Sequence, residues 1–203
     1  MINRHTLVLG AVAIALLSAG LAGEGVVQYR NFELKADAAT IVALTGVAGS
    51  ELKTIHERPA VIQDLSWRPS RWGVGSTAAS TEAVEQIVFS FYNNQLSRIV
   101  VDYLHERTEG MTDADMTDAL SAVYGAPAKR LPGVARLASQ IEAESGTPVA
   151  RWGDAEHTVV LYHNSTYGRA FRLIVTESAL DGLSRKAAAQ AARMEEADAP
   201  RRE

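Results

Sequence analysis

Apolar residues fall on every second position from Glu85 to Tyr92, where Ile87, Phe89 and Phe91 share one parity. That period predicts a strand with one buried face. Asn93-Asn94 follows, a pair that tolerates positive φ and so predicts a two-residue hairpin turn into a partner strand over Leu96 to Leu104. Val61 to Trp67 alternates loosely and stops at Arg68-Pro69, a strand followed by a break. Val149 to Trp152 reads as a short strand, and Thr158 to Tyr162 with Ala170 to Thr176 as a second hairpin. Between the hairpins the period becomes helical. Thr112 is a good N-cap, Asp115 at N3 gives a capping box, Met116, Ala119, Leu120 and Val123 form one face, and Gly125 and Pro127 close the helix. A shorter helix over Asp37 to Leu44 is capped by Asp37, carries Ile41 and Leu44 on one face, and ends at Gly46. Ser178 to Glu196 predicts an Ala-rich helix with Leu180, Leu183, Ala187, Ala191 and Met194 on a narrow stripe. Val26 to Leu34 reads as a linker or first strand, and Glu51 to Glu57 fits no single state.

Laid side by side, the two halves follow one plan. Ile41, Leu44 and Gly46 correspond to Leu120, Val123 and Gly125; Trp67 corresponds to Trp152; Arg98-Ile99-Val100-Val101 corresponds to Arg172-Leu173-Ile174-Val175. The fold expected is α+β: an N-terminal hydrophobic helix, two copies of a helix plus three-stranded antiparallel sheet unit, and a C-terminal helix. The segments are 1–24, a signal peptide or transmembrane anchor; 25–105, the first unit; 106–197, the second unit with the C-terminal helix; and 198–203, a frayed tail.

The N-terminus sets the expected address. Thr6 to Gly23 runs without a charge until Glu24, behind the single cation Arg4. As a helix those residues span about 27 Å, against a hydrocarbon core of about 30 Å. An uncleaved anchor fits narrowly. Gly20-Leu21-Ala22 equally offers the small residues of a signal-peptidase site. Either way the following domain is expected outside the cytoplasm: in the bacterial envelope on a single-pass anchor, or periplasmic or secreted after cleavage.

Composition narrows the classes. The chain has no Cys, so neither a disulfide nor a lipoprotein-type acyl anchor can form. A net charge of −4 supplies no excess of cations for phosphates, so nucleic acid is not expected as a partner.

The order of elements over residues 37 to 176, helix then three antiparallel strands, resembles the repeat of the secreted β-lactamase inhibitor proteins. It also resembles the helix-plus-sheet unit of the small lipoproteins of outer-membrane β-barrel assembly, whose acylated Cys is absent here. The chain as a whole looks like the conserved-hypothetical exported proteins of bacteria. The resemblance implies binding of another protein without catalysis, and it transfers no site residue.

The residues offer several candidate sites. Arg68-Pro69-Ser70-Arg71-Trp72 opens a long excursion before the first hairpin, and Arg68, Arg71 and Trp72 have the composition of a binding hot spot. Glu106, Glu109, Asp113, Asp115 and Asp118 gather around a helix start, where the macrodipole favours them; a calcium loop would need Gly where Asp118 stands. Gly73-Val74-Gly75-Ser76-Thr77 lacks the Lys of a P-loop and precedes a strand. His56, His105, His157 and His163 are scattered, with His157 and His163 of one parity on a strand. No metal, cofactor or catalytic residue is assigned. The expected function is a membrane-anchored, extracytoplasmic protein-interaction module acting on an unidentified envelope protein. The alternative is a periplasmic small-ligand-binding protein or an unrecognised hydrolase, marked by a cleft that joins His105 to carboxylates.

Overall fold

The alternation read from Glu85 to Leu104 becomes the centre of one large sheet. The computed structural model describes residues 28–69, 83–128, 145–163 and 169–198. A ribbon of β1 (Gln28–Tyr29) and β2 (Phe32–Glu33) turns at Arg30, whose φ is 59°. Helix α1 (Ala38–Thr45) and a 3-10 turn (Gly49–Glu51) lead to β3 (Lys53–His56), β4 (Ile62–Trp67), β5 (Val84–Tyr92) and β6 (Gln95–Leu104). Helices α2 (His105–Thr108) and α3 (Asp113–Tyr124) precede β7 (Thr147–Gly153), β8 (His157–His163) and β9 (Arg169–Glu177), and α4 (Ser178–Asp198) closes the chain. The seven strands β3 to β9 form a single antiparallel sheet in the order β3-β4-β5-β6-β9-β8-β7.

This order corrects the expected fold. The architecture is mostly β, and two copies of a helix plus a three-stranded sheet do not form. Strands from both halves share one hydrogen-bonded sheet through the β6–β9 seam, where Val100 pairs with Ile174. The likeness of Arg98-Ile99-Val100-Val101 to Arg172-Leu173-Ile174-Val175 has a simpler cause. The two strands are neighbours at the sheet centre and meet the same two environments, so both alternate apolar residues with one buried-side arginine. The expected N-terminal helix lies outside the described residues.

Strand parity divides the side chains between two covered faces. On one face Ile87, Phe89 and Phe91 of β5, Ile99 and Val101 of β6, Val159 and Leu161 of β8, and Leu173 and Val175 of β9 meet Phe32, Ile41, Met116 and Leu120 from the ribbon, α1 and α3. Phe32 packs edge-on to Phe89 at 4.7 Å and to Trp67 at 5.6 Å. Each such buried large side chain contributes about 1.5–3 kcal/mol by leaving water. On the other face α4 crosses β9, β6 and β5, and Ala187 and Ala188 pack near Ala60 and Ile62. β6 is therefore buried on both sides, which explains the consecutive apolar residues Ile99, Val100 and Val101 at its centre.

Local signals set the element ends. Asp37 accepts from Thr40 N at 2.7 Å to start α1, and Gly46 ends it at φ 67°. Thr112 and Asp115 form the reciprocal capping box of α3. Asn93 and Asn94 both take positive φ, the twist a two-residue hairpin needs. Their side chains also bind neighbours: Asn93 accepts from Val61 N and Asn94 from Ala38 N.

The ribbon is pinned from below. The Tyr124 hydroxyl, at the end of α3, donates to the Gln28 carbonyl at 3.2 Å. Tyr29 and Tyr103 hydrogen-bond beneath Arg30, and burial pushes the Tyr103 hydroxyl well above the usual phenol value and raises Tyr29 and Tyr124 with it. Trp152, 1% exposed, leans on Tyr124 and donates to Ser121 Oγ.

Candidate functional site

With both faces covered at the sheet centre, the accessible backbone lies at the edges. β3 is the outermost strand on one side, so its outer row of N–H and C=O groups has no strand neighbour among the described residues. Lys53, Thr54 and Ile55 are exposed, Ile55 by 48%. β3 forms an edge because its pattern alternates weakly and a bulge interrupts it. Thr54 pairs with Gln63 and His56 with Ile62, which leaves Ile55 as the extra residue.

α4 reaches β3 at its far end, and the two elements bound an open groove of about 360 Å³. Thr54 to Arg58 form one wall, and Ala191, Met194, Glu195 and Asp198 form the other. His56 Nδ1 lies 3.1 Å from Glu195 Oε1 and joins the walls. Arg58 and Asp198 approach only to 3.9 Å, both largely exposed, and contribute little. Ile55, Ala191 and Met194 supply the apolar part of the lining, and Glu57, Arg58, Glu195 and Asp198 the charged part.

The position of α4 depends on charges buried beneath it. Arg98 Nη2 donates to Asp181 Oδ1, and Asp181 also takes Arg185 at 3.0 Å. Buried Glu177 accepts from Leu180 N at 2.5 Å at the helix start and faces Lys35 Nζ at 3.4 Å. Asp64 stands in the same cross-strand row as Ser90 and Arg98. Burial raises its pKa, against the hydrogen bond from Ser90 and the charge of Arg98. Further along β6 and β9, Arg172 grips Asp102 through two nitrogens at 2.6 and 3.1 Å and reaches Ser145 Oγ.

Of the residues the sequence singled out, Arg68 is exposed and donates to Gln86 Oε1 at 3.2 Å, while Arg71 and Trp72 lie outside the described residues with Gly73 to Thr77. Asp115 is committed to its cap, which holds its carboxyl below the usual range. Asp113 meets His163 Nδ1 at 2.7 Å. His157 and His163 share a face of β8 yet stand six positions apart, about 20 Å, too far for one ion. Among the described residues no three His, Asp or Glu side chains converge to hold a metal. His105 is exposed on α2 and does not line the groove. Among the described residues no helix is long and apolar enough to cross a membrane; Thr6 to Gly23 lies outside them.

The groove residues escaped the sequence reading because Glu51 to Glu57 carries no clear period. The one usable sign was Ile55 set between polar Thr54 and His56. No family model, curated protein or solved structure matches the chain.

Proposed function

We propose that the chain is a membrane-anchored, extracytoplasmic interaction module that captures an extended segment of an envelope protein along β3. The observation that carries this reading is the open β3 edge beside the α4 groove. Strand addition uses backbone hydrogen bonds for affinity and side-chain contacts for choice. Ile55 and Met194 offer the apolar contacts, and Lys53, Glu57 and Glu195 offer the polar rim. The bulge and short length of β3 oppose indiscriminate edge pairing, which suits a selective partner. The connection that begins at Arg68 and includes Arg71 and Trp72 is the second proposed contact. The covered faces at the sheet centre support an edge as the docking surface.

Crosslinking in the native envelope tests the reading. Wild-type chain is expected to bring down one stoichiometric protein. Ile55→Lys is expected to lose it at an unchanged melting temperature, since Ile55 is half exposed. Arg68→Ala, Arg71→Ala and Trp72→Ala together are expected to weaken capture. Recovery of the bare chain, under conditions where a control complex survives, refutes the proposal. Unchanged capture by Ile55→Lys removes β3 from it.

A further inference from the structure

Residues 122–128 form an exposed apolar strip at the end of α3. Ala122, Val123, Gly125, Ala126, Pro127 and Ala128 are all exposed, Val123 by 73%, the highest among the exposed large hydrophobic residues. No Asp, Glu, Lys or Arg occurs from Ala119 to Ala128, whereas Asp113, Asp115 and Asp118 sit in the first half of the helix. α3 has 12 residues and is about 18 Å long, so Asp113 and Asp115 stand about 10–15 Å back from the strip, and Asp118 one turn before it. Asp113 contacts His163 at one end of β8, and Ser121 contacts Trp152 toward the other. Beyond the helix, Ala128 N donates to Arg151 O at 2.8 Å, which holds the strip along the outer edge of β7.

The strip lies where the N-terminal segment joins the domain. Tyr124, inside it, donates to the carbonyl of Gln28, and Tyr29 is fixed in turn by Tyr103. From Gly23, the last residue of the uncharged run, to Gln28 is five residue steps, at most about 17 Å of chain. A membrane holding Thr6 to Gly23 is therefore within one short tether of Val123.

We infer that the 122–128 strip rests against the phospholipid surface and fixes how the anchored domain stands on the bilayer. The inference rests on the reading of residues 6–23 as an uncleaved anchor and adds the orientation to it. Uncharged small and apolar side chains meet the interface without desolvating a charge, and the half-buried Tyr124 beside them is an aromatic type that the interface favours. Asp113 and Asp115 stand at the start of α3, the end away from the strip. The β3 edge belongs to the opposite side of the sheet order from β7 and stays open to a protein partner.

The absence of Cys makes the test direct. Full-length Val123→Cys, Ala126→Cys and the control Glu109→Cys are labelled with nitrobenzoxadiazole and reconstituted into vesicles of phosphatidylethanolamine and phosphatidylglycerol containing doxyl-labelled lipid. Vesicle flotation is read in parallel. The inference expects co-flotation, with blue-shifted and doxyl-quenched emission at positions 123 and 126 and neither effect at 109. Co-flotation with equal emission at all three positions overturns the orientation and leaves the anchor standing. A blue shift without doxyl quenching assigns the strip to a protein contact or a second copy, and overturns it too. Failure to float refutes the anchor and the inference together.

Discussion

Truncating Asp181 should destabilise the protein far more than truncating its partner Arg98. The Arg98 and Asp181 side chains are 8% and 5% exposed, so neither is solvated when left alone. Asp181→Ala leaves a buried guanidinium whose Nε already lacks a partner among the described residues. Breaking a buried pair in this way costs about 3–5 kcal/mol. The lower end applies here, about 3 kcal/mol, because Asp64 stands close enough to attract Arg98. Arg98→Met is milder. Asp181 keeps Arg185 at 3.0 Å, and the Met side chain fills much of the arginine stem, so the loss is one charged hydrogen bond, about 1.5 kcal/mol. The pair Arg98→Met with Asp181→Leu removes both charges and should return close to wild type. Urea unfolding followed by tryptophan fluorescence reads the series. With a slope of about 2 kcal/mol per molar, Asp181→Ala moves the midpoint by about 1.5 M and Arg98→Met by about half of that. Equal losses for the two single variants would show that Arg185 does not sustain Asp181. A loss below about 1 kcal/mol for Asp181→Ala would show that Arg98 is hydrated in the folded state.

Other outcomes follow from backbone and titrating groups. A Cβ at Gly153, φ 102°, meets the His157 carbonyl oxygen at 2.2 Å, whereas one at Gly46, φ 67°, meets nothing within 4 Å. Gly46→Ala should cost about 1 kcal/mol for the left-handed conformation alone, and Gly153→Ala distinctly more; equal thermal shifts would refute the contact. Asp64 has a raised folded pKa, so its cost accumulates as pH rises from the unfolded value through the folded one. Asp64→Asn should therefore raise the melting temperature near neutrality and lose that gain in acid; a gain that persists in acid excludes ionisation as its cause. The raised hydroxyls of Tyr29, Tyr103 and Tyr124 mean that the unfolded chain ionises first, so stability falls as pH climbs past about 10. Tyr103→Phe should flatten that alkaline limb, and an unaltered slope counts against the buried cluster.

Much of the local structure was written in short-range pattern. The Thr112–Asp115 box, the Asp37 cap and the Asn93-Asn94 turn each involve residues within one helical or hairpin turn, and all three are present. What failed was long-range. The β6–β9 seam joins segments some seventy positions apart, and no local period announces which strand lies beside which. Helix faces were misjudged where burial is polar or partial. Leu183 was expected inward but is 46% exposed, while Asp181 is buried because Arg98 waits beneath it. Leu44 and Val123 likewise follow the helical period and face solvent. The β3 groove left only Ile55 between Thr54 and His56 as a sign, because an edge strand needs neither strict alternation nor a long run. Of the proposed Arg68, Arg71 and Trp72 contact, only Arg68 falls within the described residues, on the surface.

The seam between β6 and β9 also sets the order in which the chain can complete itself. β3 to β6 pair with neighbours in sequence, as do β7 to β9, so each set forms by local hairpin closure. β6, whose Leu96 to Val101 stretch is wholly buried in the finished protein, gains its second neighbour only when β9 arrives. Until then a ten-residue strand with Ile99, Val100 and Val101 at its centre lies open on one edge, the kind of surface that pairs with other chains. A polypeptide delivered from its N-terminus outward presents that strand before α2, α3 and the last three strands have emerged. Slowing the emergence of residues beyond Leu104 should therefore favour aggregation, and a charge placed at Val100 should relieve the hazard only by sacrificing the seam.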